Sequence, residues 1–203
     1  MMRKALLLLL AAALCGSLPA QDTEKTARLL ALFNSHPKAD IAVELVKKYE
    51  GLHDRSDYPY YGYGHRRLPN EKLSYGMTEA EAEALLRKDL AVRYRLFRKY
   101  GKDALLLTVL SYNVGQGVLL GHGGHPKSGL VRKLEAGNRD IYREYTAYCR
   151  YKGKPVRSIE RRRKMEFLLL YEKQNATIWQ IIKMERILLL LLSPKMVTGT
   201  IKI

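Results

Sequence analysis

The chain reads as an α+β protein, predominantly helical, with a first helix and a small β-hairpin lobe packed on a helical bundle lobe. Three observations predict this order. Ile41, Val43, Leu45, Val46 and Tyr49 recur at helical spacing and stop at Glu50-Gly51. The stretch 53–74 then carries Pro59, Gly62, Gly64, Pro69 and Asn70 among clustered tyrosines, which argues against helix and for short strands and turns. From Thr78 onward every apolar segment repeats with helical period or is apolar throughout.

The elements follow in order. Leu29, Leu30, Leu32 and Phe33 form a helical lead-in that Ser35 and Pro37 break. Asp40 is positioned to cap the helix that ends at Glu50. Thr78 with Glu81 makes a capping box in front of Ala80, Ala82, Leu85 and Leu86, predicting a helix that runs to about Tyr100 and stops at Gly101. Residues 104–114 are almost wholly apolar, and a helix hydrophobic on all sides belongs at the centre of a core. The glycine-rich stretch 115–129 reads as loop. Ser128 caps a helix over Leu130, Val131 and Leu134 that Gly137 ends. Asp140 opens an aromatic helix through Tyr142, Tyr145 and Tyr148, broken by Gly153 and Pro155. Ser158 caps a last helix to about Glu172, with Met165, Phe167, Leu168 and Leu169 facing inward.

Length and composition set the outer limits. A chain of 203 residues holds one domain with extensions and buries a sizeable core. The formal charge of +16 favours polyanionic partners: nucleic acid, anionic lipid or an acidic wall polymer. The N-terminus narrows these. Two positive charges in Met1–Lys4, the apolar run Ala5–Leu14 and Ser17-Leu18-Pro19-Ala20 have the layout of a secretory signal peptide, residues 1–20. Cleavage near Ala20 is expected, with a retained signal-anchor as the alternative; bulky Leu14 argues against lipidation at Cys15. Export points to a secreted or periplasmic monomer with no stable membrane span after signal removal. It makes nucleic acid a poor partner despite Arg143, Arg150, Arg157 and Arg161–Arg163. Loss of Cys15 leaves Cys149 alone, so no intramolecular disulfide is expected, and Cys149 is read as a packed small residue. His122 and His125 lack third and fourth ligands, so no metal is expected, and no organic cofactor is implied.

The chemistry concentrates at Glu50-Gly51-Leu52 and, twelve to fifteen residues beyond the glutamate, Gly62-Tyr63-Gly64-His65. An acid closing a helix is followed by a glycine-punctuated aromatic turn that can hold it over a cleft. Ser111-Tyr112-Asn113-Val114-Gly115 and Arg161-Arg162-Arg163, ahead of Met165-Glu166-Phe167-Leu168, complete the set. Together these blocks resemble the phage-type (T4-like) lysozymes, glycoside hydrolase family 24, over roughly residues 41–171. The resemblance implies a lysozyme-like domain over 40–172, after a lead-in at 21–39. Residues 173–203, with the apolar run Ile187–Leu192, form an extension to which no role is assigned.

The resemblance also implies roles. Glu50 is the general acid, its pKa expected to rise in an apolar site. Asp57 is the second catalytic group, as base or charge stabiliser, with Asp54 as the fallback. The family's aspartate lies about nine residues after its glutamate, whereas Asp57 lies seven after Glu50, and the family's threonine before the turn is replaced by Tyr60. Tyr60, Tyr63 and Asn113 are expected to bind substrate, Asn113 through a sugar acetamido group. Gly62, Gly64 and His65 are expected to support the site. The implied function is muramidase action on peptidoglycan glycan strands. The shortened motif keeps a catalytically impaired peptidoglycan-binding protein as the alternative.

Overall fold

The computed structural model describes residues 20–172. Residues 1–19 of the expected signal peptide, with Cys15, and the extension 173–203 lie outside the described residues; Ala20 opens the first helix. Helix α1 (Ala20–Asn34) precedes α2 (Ala39–Glu50). A 3-10 turn at Arg55–Asp57 leads into the antiparallel hairpin of β1 (Tyr60–Tyr61) and β2 (His65–Arg66). Helix α3 (Glu79–Phe97) runs through a 3-10 segment, Arg98–Asp103, into α4 (Ala104–Val114). Then come α5 (Gln116–Leu120), α6 (Gly129–Glu135), α7 (Tyr142–Thr146), the hairpin β3 (Arg150–Tyr151) and β4 (Lys154–Pro155), and α8 (Arg157–Leu170). The predominantly helical α+β class is therefore correct, with a small hairpin lobe and a helical lobe.

Helix α4 occupies the centre, as its all-round apolarity requires. Every residue from Ala104 to Ser111 is buried. The helix packs on α2, α3, α5 and α8. Its two buried hydroxyls bond back along the helix, Thr108 to the Ala104 carbonyl and Ser111 to that of Thr108, so neither is left unpaired. Leu86 and Leu90 of α3, Val43 and Val46 of α2, and Leu169 and Leu170 of α8 close the core around it.

Local signals set most boundaries. Thr78 and Glu81 form the expected capping box, and Ser128 caps α6 through the Val131 N–H. Other expectations need correction. Asp40 does not cap α2; Lys38 stands at that position and makes no side-chain capping bond, and Asp40 instead accepts from Arg87 at 2.8 Å. The stretch 115–129 is not all loop: Gln116–Leu120 makes a short helix between Gly115 and Gly121. The aromatic helix spans Tyr142–Thr146 and stops before Tyr148, because Gly153 and Pro155 belong to a two-strand hairpin rather than a simple break. Ser158 does not cap α8, which begins at Arg157 after Val156. Among the described residues, no helix is long and apolar enough to cross a membrane.

Candidate active site

Helix α2 delivers Glu50 as its last residue. Gly51 adopts φ 69° and closes the helix by donating its N–H to the Lys47 carbonyl at 3.0 Å. This positive φ suits glycine, so the helix stops here and the chain turns toward the hairpin. His53 ties that turn down. Its backbone N–H donates to the Gly62 carbonyl at 2.8 Å, and its ring Nδ1 donates to the same oxygen at 3.1 Å.

The hairpin turn brings its glycines against the acid. A Cβ on Gly64 would lie 3.8 Å from Glu50 Cγ and 3.5 Å from the Tyr112 ring, and the residue sits at φ 98°. Glycine at this place therefore satisfies both a backbone conformation and a close approach. Tyr112 completes that wall by donating its hydroxyl to the Tyr63 carbonyl at 2.9 Å. Burial first, then the nearby Asp89 and Glu50 carboxylates, push the Tyr112 phenol well above its ordinary range, so it stays a proton donor.

Helix α8 supplies the positive charge opposite. Arg162 Nη1 lies 2.8 Å from Glu50 Oε1. The contact is off the hydrogen-bond line: Glu50 Oε1 and Arg162 Nη2 are both buried without an aligned partner. The attraction is therefore chiefly Coulombic. Arg162 also donates through Nε to Glu166 Oε1 at 2.8 Å, and its guanidinium stacks over Tyr49 at 5.3 Å. Burial works against the Arg162 charge, but Glu166 and Glu50 outweigh it and hold the guanidinium more firmly protonated than usual.

Behind this pair lies a fully buried network. Glu166 accepts from Arg163 Nη1 at 2.5 Å and from the Tyr145 hydroxyl at 2.9 Å. Arg163 also donates to the Tyr148 carbonyl and to Asn113 Oδ1. Two carboxylates and two guanidinium groups thus balance across Glu50, Arg162, Glu166 and Arg163. Such a cluster is tolerated in a core only when its charges are matched and bonded. The bond from Arg163 also orients Asn113. Its carbonyl is taken, while the side chain as a whole stays exposed.

A chain whose acid closes a helix against a Gly-x-Gly-His turn, with an arginine of the last helix beside it, invites comparison with known families. A model of the phage lysozyme family matches residues 47–166, more than half of the chain. The chain belongs to the phage lysozyme family. No curated protein and no solved structure matches it. Membership implies glycoside hydrolase activity toward peptidoglycan, and the matched span takes in Glu50, the hairpin, α4 and the arginine pair.

In this member of the family the other expected site residues fall in distinct places. Asp54 and Asp57 bracket the 3-10 turn as a reciprocal capping box. Asp54 accepts from the Ser56 N–H at 2.8 Å, and Asp57 Oδ2 accepts from the Asp54 N–H at 2.9 Å. Both therefore hold local backbone, whatever else they do. Tyr60 is 43% exposed on β1, with its ring 6.2 Å from that of His53. Tyr63 turns inward instead. It is 6% exposed, with the Lys47 ammonium 5.6 Å above its ring, so its ring serves the core rather than an open glycan surface. Gly62 (φ 56°) sits against Ala82 and Met77.

His65 is 7% exposed and bonded on both sides. Nδ1 meets Asp89 Oδ2 and Nε2 meets Glu71 Oε2, each at 2.8 Å. Carboxylates only accept, so both ring nitrogens donate and the imidazole is a cation. Burial opposes that charge, but Asp89 and Glu71 more than offset it and raise the His65 pKa. This ring fastens the hairpin to α3 and to the 68–71 turn. Neither partner was foreseen from sequence. Asp89 lies 24 residues away on another element, and Glu71 reads as an ordinary loop acid. His53 carries no sequence signal beyond its place three residues after Glu50. Spacing does not single out Arg162: Arg162 and Arg163 stand i, i+4 and i, i+3 from Glu166 and both pair with it. Among the described residues, no group of three or more His, Cys, Asp or Glu side chains is arranged to hold a metal.

Proposed function

We propose that this protein is an exported muramidase that hydrolyses the β-1,4 bond between N-acetylmuramic acid and N-acetylglucosamine, with Glu50 as general acid. The observation that carries this reading is the setting of Glu50. Its carboxyl is anchored through Oε1 beside Arg162, its Cγ abuts the hairpin turn, and its side chain keeps 20% exposure. A carboxyl held by one oxygen leaves the other, Oε2, to carry a proton to the leaving glycosidic oxygen. Asn113, with its carbonyl fixed by Arg163, offers its amide nitrogen to a sugar acetamido group. Exposed Tyr60 supplies an aromatic face for a pyranose ring.

Asp57 is assigned to stabilise the positive charge that develops on the sugar ring. The basic-then-apolar residues 1–20 support export, and the charge of +16 supports attraction to an anionic wall. A binding-only protein on the same scaffold is the rival, and the commitment of Asp54 and Asp57 to a capping box is what favours it.

Release of muropeptides from purified peptidoglycan tests the choice. Glu50→Gln is expected to lower release on the order of 10³-fold with binding retained. Asp57→Asn keeps an oxygen to accept the Asp54 N–H, so any loss reports the missing charge; roughly tenfold or more is expected. Binding without release by the unmodified protein favours the rival.

A further inference from the structure

We propose that His53 is the general base of the hydrolysis, taking the proton of the attacking water through Nε2. The inference rests on the glycosidase reading and supplies the half of the reaction that Glu50 does not. Hydrolysis needs a group to draw a proton from water on the face opposite the leaving oxygen. The two carboxylates nearest in sequence after Glu50 are tied into the 55–57 turn, each accepting a backbone N–H. His53 is in a different position. Its Nδ1 donates to the Gly62 carbonyl at 3.1 Å, which fixes the proton on that nitrogen. In the neutral ring Nε2 then carries a lone pair, and no described residue hydrogen-bonds it. An imidazole so tethered is the common form of a side-chain base.

The placement agrees with the role. His53 and Glu50 converge on one three-residue turn, His53 on the Gly62 carbonyl and Glu50 Cγ 3.8 Å from the Cβ direction of Gly64. The His53 ring stands 6.2 Å from that of Tyr60, which is exposed to solvent. His53 itself is half-buried, so the residue as a whole retains some contact with solvent. In the step, the water oxygen bonds to the anomeric carbon as the glycosidic C–O bond breaks. The departing oxygen takes the proton of Glu50, and the water's proton passes to Nε2. Solvent then returns Glu50 and His53 to their starting states.

His53→Asn separates base from tether. The asparagine amide replaces Nδ1–H as donor to the Gly62 carbonyl but offers no basic nitrogen. Full-length protein, His53→Asn, His53→Ala and Glu50→Gln are compared on purified peptidoglycan, with melting temperature and polymer binding measured beside release. His53→Asn is expected to keep its melting temperature and KM and to lose on the order of 10²- to 10⁴-fold in kcat. Sodium azide is expected to restore turnover to His53→Asn and His53→Ala but not to Glu50→Gln, releasing a glycosyl azide of α configuration, because the small nucleophile needs no base. Retention of kcat within threefold by His53→Asn, with loss confined to His53→Ala, would show a tether and overturn the proposal. A large loss in His53→Asn that azide leaves unchanged overturns it too. Absence of new reducing ends from the unmodified protein overturns the glycosidase reading itself, a result distinct from either.

Discussion

Arg163 shows how much of this site is settled by single side chains. It is fully buried and satisfies Glu166, Asn113 and the Tyr148 carbonyl at once. Removing one member of a matched buried cluster leaves the others charged and unpaired, which costs more than the pair contributes when intact. Arg163→Ala is therefore expected to destabilise the protein by about 3–5 kcal/mol in urea unfolding. Exposed Arg161, one residue earlier, is expected to change it by less than about 0.5 kcal/mol when replaced by alanine. The sequence displays three adjacent arginines without ranking them. What ranks them is the helix phase of α8, which turns Arg162 and Arg163 inward and Arg161 outward. Glu50, by contrast, was legible directly, because a helix-ending acid before Gly51 carries its own local signal. Tyr63 was not, because a glycine-flanked tyrosine looks alike in sequence whether its ring faces solvent or Lys47.

At the scale of elements, the hairpin lobe depends on few contacts and one strong fastening. Two residue pairs make its ladder, Tyr60 with Arg66 and Tyr61 with His65. The His65 imidazolium joins it to Asp89 of α3 and to Glu71. The stability this cluster adds should follow a defined pH window. His65 has a raised folded pKa, so its contribution is complete below about 6.5, the ordinary imidazole value, and is lost as pH rises through the folded value. Glu71 has a depressed pKa, set against burial by the Leu68 N–H and by His65. Its contribution is complete above about 4.5 and is lost as pH falls through the folded value. Unfolding free energy measured from pH 3 to 9 is expected to carry a component greatest between these limits, and His65→Gln is expected to remove it. An unchanged profile in His65→Gln would mean that the ring is not charged. Helix α4 and the capping box of α3 were readable because apolar runs and caps are local patterns. The α5 helix and the β3–β4 hairpin were not, since glycine marks a chain reversal without saying what lies between two such marks.

Across the whole molecule, the architecture divides labour between a helical core and a charged exterior. The core carries stability without a disulfide among the described residues, where Cys149 is free and half-buried. Beside that core, the full sequence carries a formal charge of +16. Steering by such a surface acts on encounter rather than on chemistry and is screened over about 8 Å at physiological ionic strength. Raising salt from 50 to 300 mM is therefore expected to lower kcat/KM on intact peptidoglycan while leaving kcat little changed. The proposal that this protein cleaves glycan strands with Glu50 as the acid is tested most directly by one comparison. Purified peptidoglycan is incubated with unmodified protein and with Glu50→Gln, and new N-acetylmuramic reducing ends are counted alongside bound protein. The account predicts reducing ends from the unmodified protein, about 10³-fold fewer from Glu50→Gln, and equal binding. Equal release by both, or binding without release by either, would contradict it.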